Sequence, residues 1–245
     1  MTQSSAMGDR LLRFAGIALL ALAIFFGSVA ISQGIRDRNQ SNVISVTGSA
    51  KQRIVSDYVI WDLSVTSQQK SAATAADQLA GWTKTIDAFL LAHGVQSSEL
   101  AVQPVSTQPV SPSSGSSNQV IGYQLTRSFE VRSSRVQAIA SVAEASAGLI
   151  AGGVPLSAQP LQYVYTKLAG LRPHLIAEAT KDAQARAGVL VAATGGKIGK
   201  LRSVDVGVFQ VTSPNSTQVS DYGEYDTSTL QKDVTAVVNV TFALN

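Results

Sequence analysis

The chain has no cysteine in its 245 residues and only two histidines. His93 and His174 stand 81 residues apart with no H-E-x-x-H between them. They fall short of the three or four ligands that a zinc site needs. No metal ligand, cofactor residue or catalytic residue is therefore assigned. A helix-end position for His93, where a partly positive imidazole suits the dipole, is the simpler reading. Lack of cysteine suits an exported bacterial domain and suits a reduced cytosolic protein equally well. A surplus of one charge is missing too. From Arg36 to Asn245 there are 17 Lys/Arg against 15 Asp/Glu, so a sequence pI near 9.2 does not signify a basic surface. These cations are scattered, without the clustering along one face that nucleic-acid binding requires.

Several chemical patterns are approached and missed. Gly195-Gly196-Lys197-Ile198-Gly199-Lys200 has three residues between Gly195 and Gly199 where a phosphate loop needs four. Leu201 then follows Lys200 in place of Ser/Thr, and the order is helix to strand. A glycine helix cap and tight turn is expected. Ser67-Gln68-Gln69-Lys70 matches S-x-x-K, but no K-T-G accompanies it. With 30 Ser and 8 Lys, about one such match arises by chance, and a helix start is the expected role. Asp221 to Asp226 is the densest acidic cluster, yet it lacks the order of a calcium loop and reads as a solvated hairpin tip. Trp61 and Trp82 read as core residues.

What is present is a long apolar run. Phe14 to Ile35 holds 22 residues without a charge, between Arg10 and Arg13 on one side and Arg36, Asp37 and Arg38 on the other. As one helix it crosses a hydrocarbon core roughly 30 Å thick. A soluble helix of that length would carry a polar stripe, and this one has none. A cleavable signal peptide is the rival, since Ala30-Ile31-Ser32 resembles a cleavage site. Secretory cores are usually about 7–15 residues, shorter than this run, so an uncleaved anchor is preferred. Charge bias leaves orientation open, because cations flank both ends. The short tail and large C-terminal region favour N-inside, C-outside. The expected organisation is a tail at 1–13, an anchor at 14–35, a linker at 36–42 and an exported domain at 43–245.

Periodicity outlines that domain. Val43–Ala50 and Tyr58–Thr66 alternate as strands, the second placing Val59, Trp61, Leu63 and Val65 on one face. Ser71–Ala92 changes to helical spacing through Ala72, Ala76, Leu79, Thr83, Ile86 and Leu90, with Gly94 as its cap. Glu99–Val110 is extended. Ser111–Asn118 reads as a flexible Ser/Gly/Pro loop, and Tyr123–Val131 resumes strand character. Helices are predicted over Ser134–Ile150 and Leu171–Thr194, with a strand near Leu161–Thr166 between them. The second helix places Leu175, Ala179, Ala183, Ala187 and Leu190 on one face, pairs Asp182 with Arg186 on the wet face, and tolerates Pro173 only in its first turn. Strands over Leu201–Val211 and Asp233–Leu244 follow, the latter aligning Val234, Ala236, Val238, Val240, Phe242 and Leu244. Helix, glycine and strand succeed one another at Ser71–Val110 and again at Leu171–Val211, too faint an echo to be read as a repeat. This order predicts an α+β fold, a mixed and largely antiparallel sheet packed with helices, preceded by one N-terminal transmembrane helix.

Ile44-Ser45-Val46-Thr47-Gly48-Ser49-Ala50 is similar to the opening strand of the SIMPL-domain family. Asp57-Tyr58 before an alternating strand, Gly94-Val95, Gly122-Tyr123 and the Ala179–Ala187 helix running into Thr194-Gly195-Gly196-Lys197-Ile198-Gly199 follow that family's order. The resemblance covers residues 43–245. It departs at Ser49, where a second glycine or an acid is common, and in the Ser-rich loop after Pro109. It implies a bacterial envelope protein, periplasmic or membrane-tethered, linked in some members to oxidative-stress tolerance or surface antigenicity. It also implies ring-like homo-oligomers and brings no catalytic positions.

The function expected from all this is a non-enzymatic, membrane-anchored envelope protein that assembles with copies of itself. The alternative is a periplasmic module binding a ligand or partner through loops 110–119 and 221–226. A hydrolase acting through Ser67 and Lys70 is the least supported.

Overall fold

A computed structural model describes residues 42–112, 120–218 and 220–245, together with Ile24 and Ser28, which are helical and exposed. The run 14–35, except for those two positions, and most of the loop 110–119 lie outside the described residues. Among the described residues, no helix is long and apolar enough to cross a membrane.

The elements are β1 (Val43–Val55), β2 (Tyr58–Gln69), α1 (Ala72–Ala92), a 3-10 turn (Ser97–Glu99), β3 (Leu100–Val102), β4 (Ser106–Val110) and β5 (Gly122–Ser133). After these come α2 (Val136–Ala145), α3 (Ala147–Ala151), β6 (Leu156–Ala158), β7 (Gln162–Val164) and α4 (Leu168–Ala193). The chain continues through β8 (Ile198–Val206), β9 (Gln210–Thr212), β10 (Glu224–Tyr225) and β11 (Gln231–Leu244). One sheet is ordered β3-β5-β2-β6, with β4 also on β5 and β7 also on β2; the other is ordered β1-β11-β9-β10, with β8 also on β11. The first is antiparallel throughout, as is β9 on β11. The protein is thus a mixed α+β fold with antiparallel sheets and few helices.

Contacts divide the chain into two compact units. The larger comprises Gly48–Asp182 and Val206–Val238. Its first core lies on β2, whose alternation buries Val59, Trp61, Leu63 and Val65 to 2 % exposure or less. Register places Trp61 opposite Val131 and Leu63 opposite Phe129 of β5. Helix α1 covers this face with Ala75, Leu79, Ile86 and Leu90. Ala75 is buried where Ala76 was expected, and Ala76 is exposed. A second core joins Ile54, Leu175, Val211, Val234 and Ala236.

Helix ends follow from glycine. Gly94 has φ +88°, its N–H bonds Leu91 O at 3.0 Å, and the Val95 N–H bonds Leu90 O at 2.9 Å. This is a Schellman cap, in which a residue without Cβ takes the left-handed position and the next one returns to the core. Val95 is buried accordingly. The predicted helix 134–150 is broken at Ser146, whose hydroxyl donates to Ala143 O at 2.6 Å and competes for a helical acceptor. Pro173 requires a correction: α4 begins at Leu168, so the proline sits in the second turn and Ala169 loses its helical donor. Both residues are exposed, where water can replace that donor.

The smaller unit takes residues up to Thr47, Ala183–Asp205 and Asn239–Asn245. Its buried side chains are Val46, Ala183, Ala187, Val191, Val240, Phe242 and Ala243. The buried stripe of α4 runs on to Val191, not to Leu190 as expected, because it keeps a strict four-residue step; Leu190 is 53 % exposed. Gly195 (φ +77°) closes the helix: the Gly196 N–H bonds Val191 O and the Gly195 N–H bonds Ala192 O, both at 3.1 Å. That is the expected glycine cap and turn, with nothing of a phosphate loop in it.

Candidate functional site

The acidic segment 221–226 forms one wall of a cleft of about 430 Å³, in the larger unit. Its position depends on β9 and β10. Glu224 and Tyr225 pair in parallel with Gln210 and Val211, so the segment is a return strand after a turn and not the hairpin tip expected from its composition. A hairpin would pair antiparallel. Gly223 makes the turn with φ +86°, and Gln210 Nε2 donates to Ser220 O at 2.6 Å.

The three acids go separate ways. Asp221 is exposed, Glu224 lines the cleft, and Asp226 turns inward. Burial pushes the Asp226 carboxyl up. Hydrogen bonds from the Ser228 N–H at 2.9 Å, Ser228 Oγ at 2.6 Å, Thr229 Oγ1 and Lys232 Nζ at 3.2 Å outweigh it and hold the group far below the usual carboxylate range. Lys232 is fully buried and also donates to Thr229 O. Its burial lowers the ammonium pKa, with Asp226 acting in the opposite direction. A buried charge persists when it is paired and hydrogen-bonded, as here. Tyr225 Oη accepts from the Tyr165 N–H at 2.9 Å and donates to Tyr165 O at 3.1 Å, fixing the far side of the segment.

Inside the cleft, Leu168, Val208, Phe209 and Val211 supply apolar surface. Arg172 lies over the Phe209 ring, 5.4 Å from its centroid, in cation–π geometry. Tyr222 is 97 % exposed at the rim. One guanidinium, one carboxylate and an apolar floor can hold a small amphiphilic group.

Other predicted positions are accounted for individually. Ser67 is the last buried residue of β2, not a helix start, because the alternation 59-61-63-65 simply continues. Its hydroxyl donates to Gln78 Oε1 at 2.7 Å, and Lys70 is exposed beyond the strand end. His93 caps α1, with Nδ1 2.8 Å from Phe89 O and its ring centroid 4.0 Å from that of Phe89. Trp61 is core and Trp82 packs against it half-buried. Among the described residues, no group of three or more His, Asp or Glu is placed to hold a metal ion. Asp182 accepts from the Ser49 N–H at 2.8 Å.

Two ion-pair clusters escaped the sequence reading. Asp233, 2 % exposed, takes Arg53 Nε at 2.9 Å and the Asn215 N–H at 3.3 Å, with Lys51 Nζ at 3.5 Å. The Arg53 hydrogen bond is the main cause that lowers its carboxyl to about 2. Glu99 is bound by Arg135 and by Ser133 Oγ at 2.5 Å, and Arg135 foremost lowers it to about 2. Their charged partners are 36 to 182 residues away in sequence, beyond any local spacing rule.

A family model, SIMPL, described as "Protein of unknown function (DUF541)", matches residues 44–242. The chain belongs to the SIMPL family. No curated protein matches it. Among solved structures, the regulatory subunit of aspartate kinase from Thermus thermophilus, ligand-free form, is 17 % identical. That alignment covers 79 % of this chain and 88 % of that one at a TM-score of 0.20. An amidase of the hydantoinase/carbamoylase family from Burkholderia multivorans is 12 % identical, over 53 % of this chain and 31 % of that one, at 0.22. Neither likeness carries an argument about this SIMPL protein.

Proposed function

We propose that the chain is a non-enzymatic envelope protein, held in a bacterial inner membrane by residues 14–35 as a single-pass anchor, whose exported C-terminal region assembles with copies of itself. The observation that carries self-assembly is β8. This strand pairs with β11, and its last seven residues are all exposed. Leu201 (53 %), Val204 (37 %) and Val206 (48 %) lie along it. An exposed edge strand is a template for pairing with another chain; Lys200, Arg202 and Asp205 interrupt the apolar residues of β8, so a pairing copy has to match that charge pattern as well. The anchor reading rests on the charge-free run, and an envelope or oxidative-stress role rests on the family resemblance. The buried, Gln78-bound hydroxyl of Ser67 supports the non-enzymatic reading.

Light scattering on the detergent-extracted full chain tests assembly. The expected result is a discrete oligomer that falls to monomer in Leu201→Lys with Val204→Lys, at unchanged melting temperature because both side chains are exposed. A monodisperse wild-type monomer at micromolar concentration defeats the reading.

A second reading, a ligand- or partner-binding module, is favoured by the cleft at 221–226. Binding there should be lost in Arg172→Ala and kept in a Ser113–Asn118 deletion; the reverse outcome would move the site to the 110–119 loop.

A further inference from the structure

We propose that the cleft walled by residues 221–226 binds a small zwitterion with an apolar body, either an apolar α-amino acid or a dipeptide of one. This deepens the binding-module reading above and rests on it. The floor of the cleft is firm. Leu168 and Phe209 pack against the second core, and Val211 belongs to it at 1 % exposure. Together with the exposed Val208 they form the apolar surface of the site. Its volume of about 430 Å³ lies toward the lower end of the ~300–1,000 Å³ usual for small-molecule sites.

Charge names the occupant. Two ionised residues line this one cleft, Arg172 from the second turn of α4 and Glu224 from β10. They are opposite in sign, yet no ion pair joins them. Among the described residues neither side chain makes a hydrogen bond or a salt bridge, and Arg172 meets only the Phe209 ring. A guanidinium has five N–H donors, so a ring contact leaves it able to take a carboxylate. Glu224 is half-buried, where an unpaired carboxylate carries a desolvation cost that an ammonium removes. The acids elsewhere in this unit are already answered: Glu99, Asp226 and Asp233 each hold a cation of their own. A guanidinium without an acid and an acid without a cation, over one apolar floor, match the carboxylate, ammonium and side chain of an amino acid. A fatty anion would leave Glu224 unanswered, and an apolar amine would leave Arg172 unanswered. At the rim, Tyr222 is 97 % exposed beside the Gly223 turn, where its ring is placed to cover an apolar side chain.

Isothermal titration calorimetry of the full chain tests this with four probes. They are L-phenylalanine, N-acetyl-L-phenylalanine without the ammonium, L-phenylalaninamide without the carboxylate, and the dipeptide L-phenylalanyl-L-alanine. The expected result is saturable binding of the amino acid or the dipeptide, the tighter of the two identifying the source of the zwitterion. Each blocked analogue should bind about tenfold or more weakly, the worth of a hydrogen bond to a charged group. Arg172→Gln should erase the preference over the amide and keep the preference over the N-acetyl compound, and Glu224→Gln should do the reverse. A merely structural role would weaken all four probes together. A blocked analogue bound as tightly as the amino acid overturns the zwitterion and leaves the cleft a binding site. Binding that neither variant alters overturns the proposal by placing the ligand elsewhere. Silence from all four probes overturns it too; the binding-module reading then falls with it only if Arg172→Ala also leaves partner capture intact. Neither residue has a polar partner to lose, so both variants should melt as the wild type does. Should one fail to fold, the four-probe series on the wild-type chain decides.

Discussion

Lys232 Nζ lies 3.2 Å from Asp226 Oδ2, and no part of the lysine reaches solvent. This pair closes the loop that leads from the cleft wall into β11. Removing one partner leaves the other buried and unpaired, which costs about 3–5 kcal/mol. Asp226→Ala should therefore lower the urea midpoint strongly. Lys232→Met combined with Asp226→Asn should recover much of the loss, because no buried charge then remains. A double variant no better than Asp226→Ala would show that the hydrogen bonds from Ser228 and Thr229 carry the loop instead.

Acid should unfold the larger unit through a few identifiable groups. Glu99 and Asp233 are both lowered to about 2, and Asp226 is lowered as well. A carboxylate whose folded pKa lies below its unfolded value contributes stability that is complete above the unfolded pKa. That contribution is lost as pH falls through the folded value. Stability should be flat from pH 7 to about 5 and fall steeply from there to about 2. Glu99→Gln should cost about 1–3 kcal/mol at neutral pH and make the acid limb shallower. An identical slope in that variant would remove Glu99 from the account.

The proposed anchor can be tested at the centre of the run 14–35. Leu20→Arg with Ile24→Arg puts two charges mid-span, each costing about 2.5–3.5 kcal/mol on insertion scales. Most of the protein should leave the membrane fraction or fail to be exported. Intact-mass measurement then separates anchor from signal peptide, since a mature chain starting near Gln33 means cleavage.

Gly94→Ala should cost about 1–2 kcal/mol, because alanine pays the left-handed penalty at φ +88°. Chemical denaturation measures it. A neutral outcome would mean that the cap rearranges and that Val95 is not pinned by it.

Legibility in the sequence followed the length of the periodic signal. The faces of β2, α1 and β11 were visible because four or more residues repeat each period. In β11, Val234, Ala236, Val238, Val240 and Phe242 are buried as predicted, while Leu244, expected on the same face, is half-buried at the strand end. The two- and three-residue strands β6, β9 and β10 are too short for alternation to register, and only their partners define them, whereas β7 (Gln162–Val164) falls inside the strand expected near Leu161–Thr166. The echo of helix, glycine and strand has a local cause, since Gly94 and Gly195 close their helices with the same pair of hydrogen bonds. Ser67 was misplaced because the S-x-x-K match outweighed a period-2 pattern that already included it. At the cleft, composition marked the acidic segment but said nothing of parallel pairing, which Val211 and Gln210 impose from a dozen residues away. Lys232 gave no signal at all, as a lysine in a strand is ordinarily a surface residue.

The strand β11 occupies the middle of its sheet and is the last element in chain order, while β1, its neighbour, is the first of the described strands. Ser45 meets Asn239 across 194 positions and Arg53 meets Asp233 across 180. A nascent chain leaving the ribosome therefore carries β1 without its partner until the 180 or more positions between the paired residues have been synthesised. Pairings this distant close late. Here the order of synthesis withholds the shared strand β11 until every strand of the first sheet has emerged, so the second sheet knits after the first has all its parts.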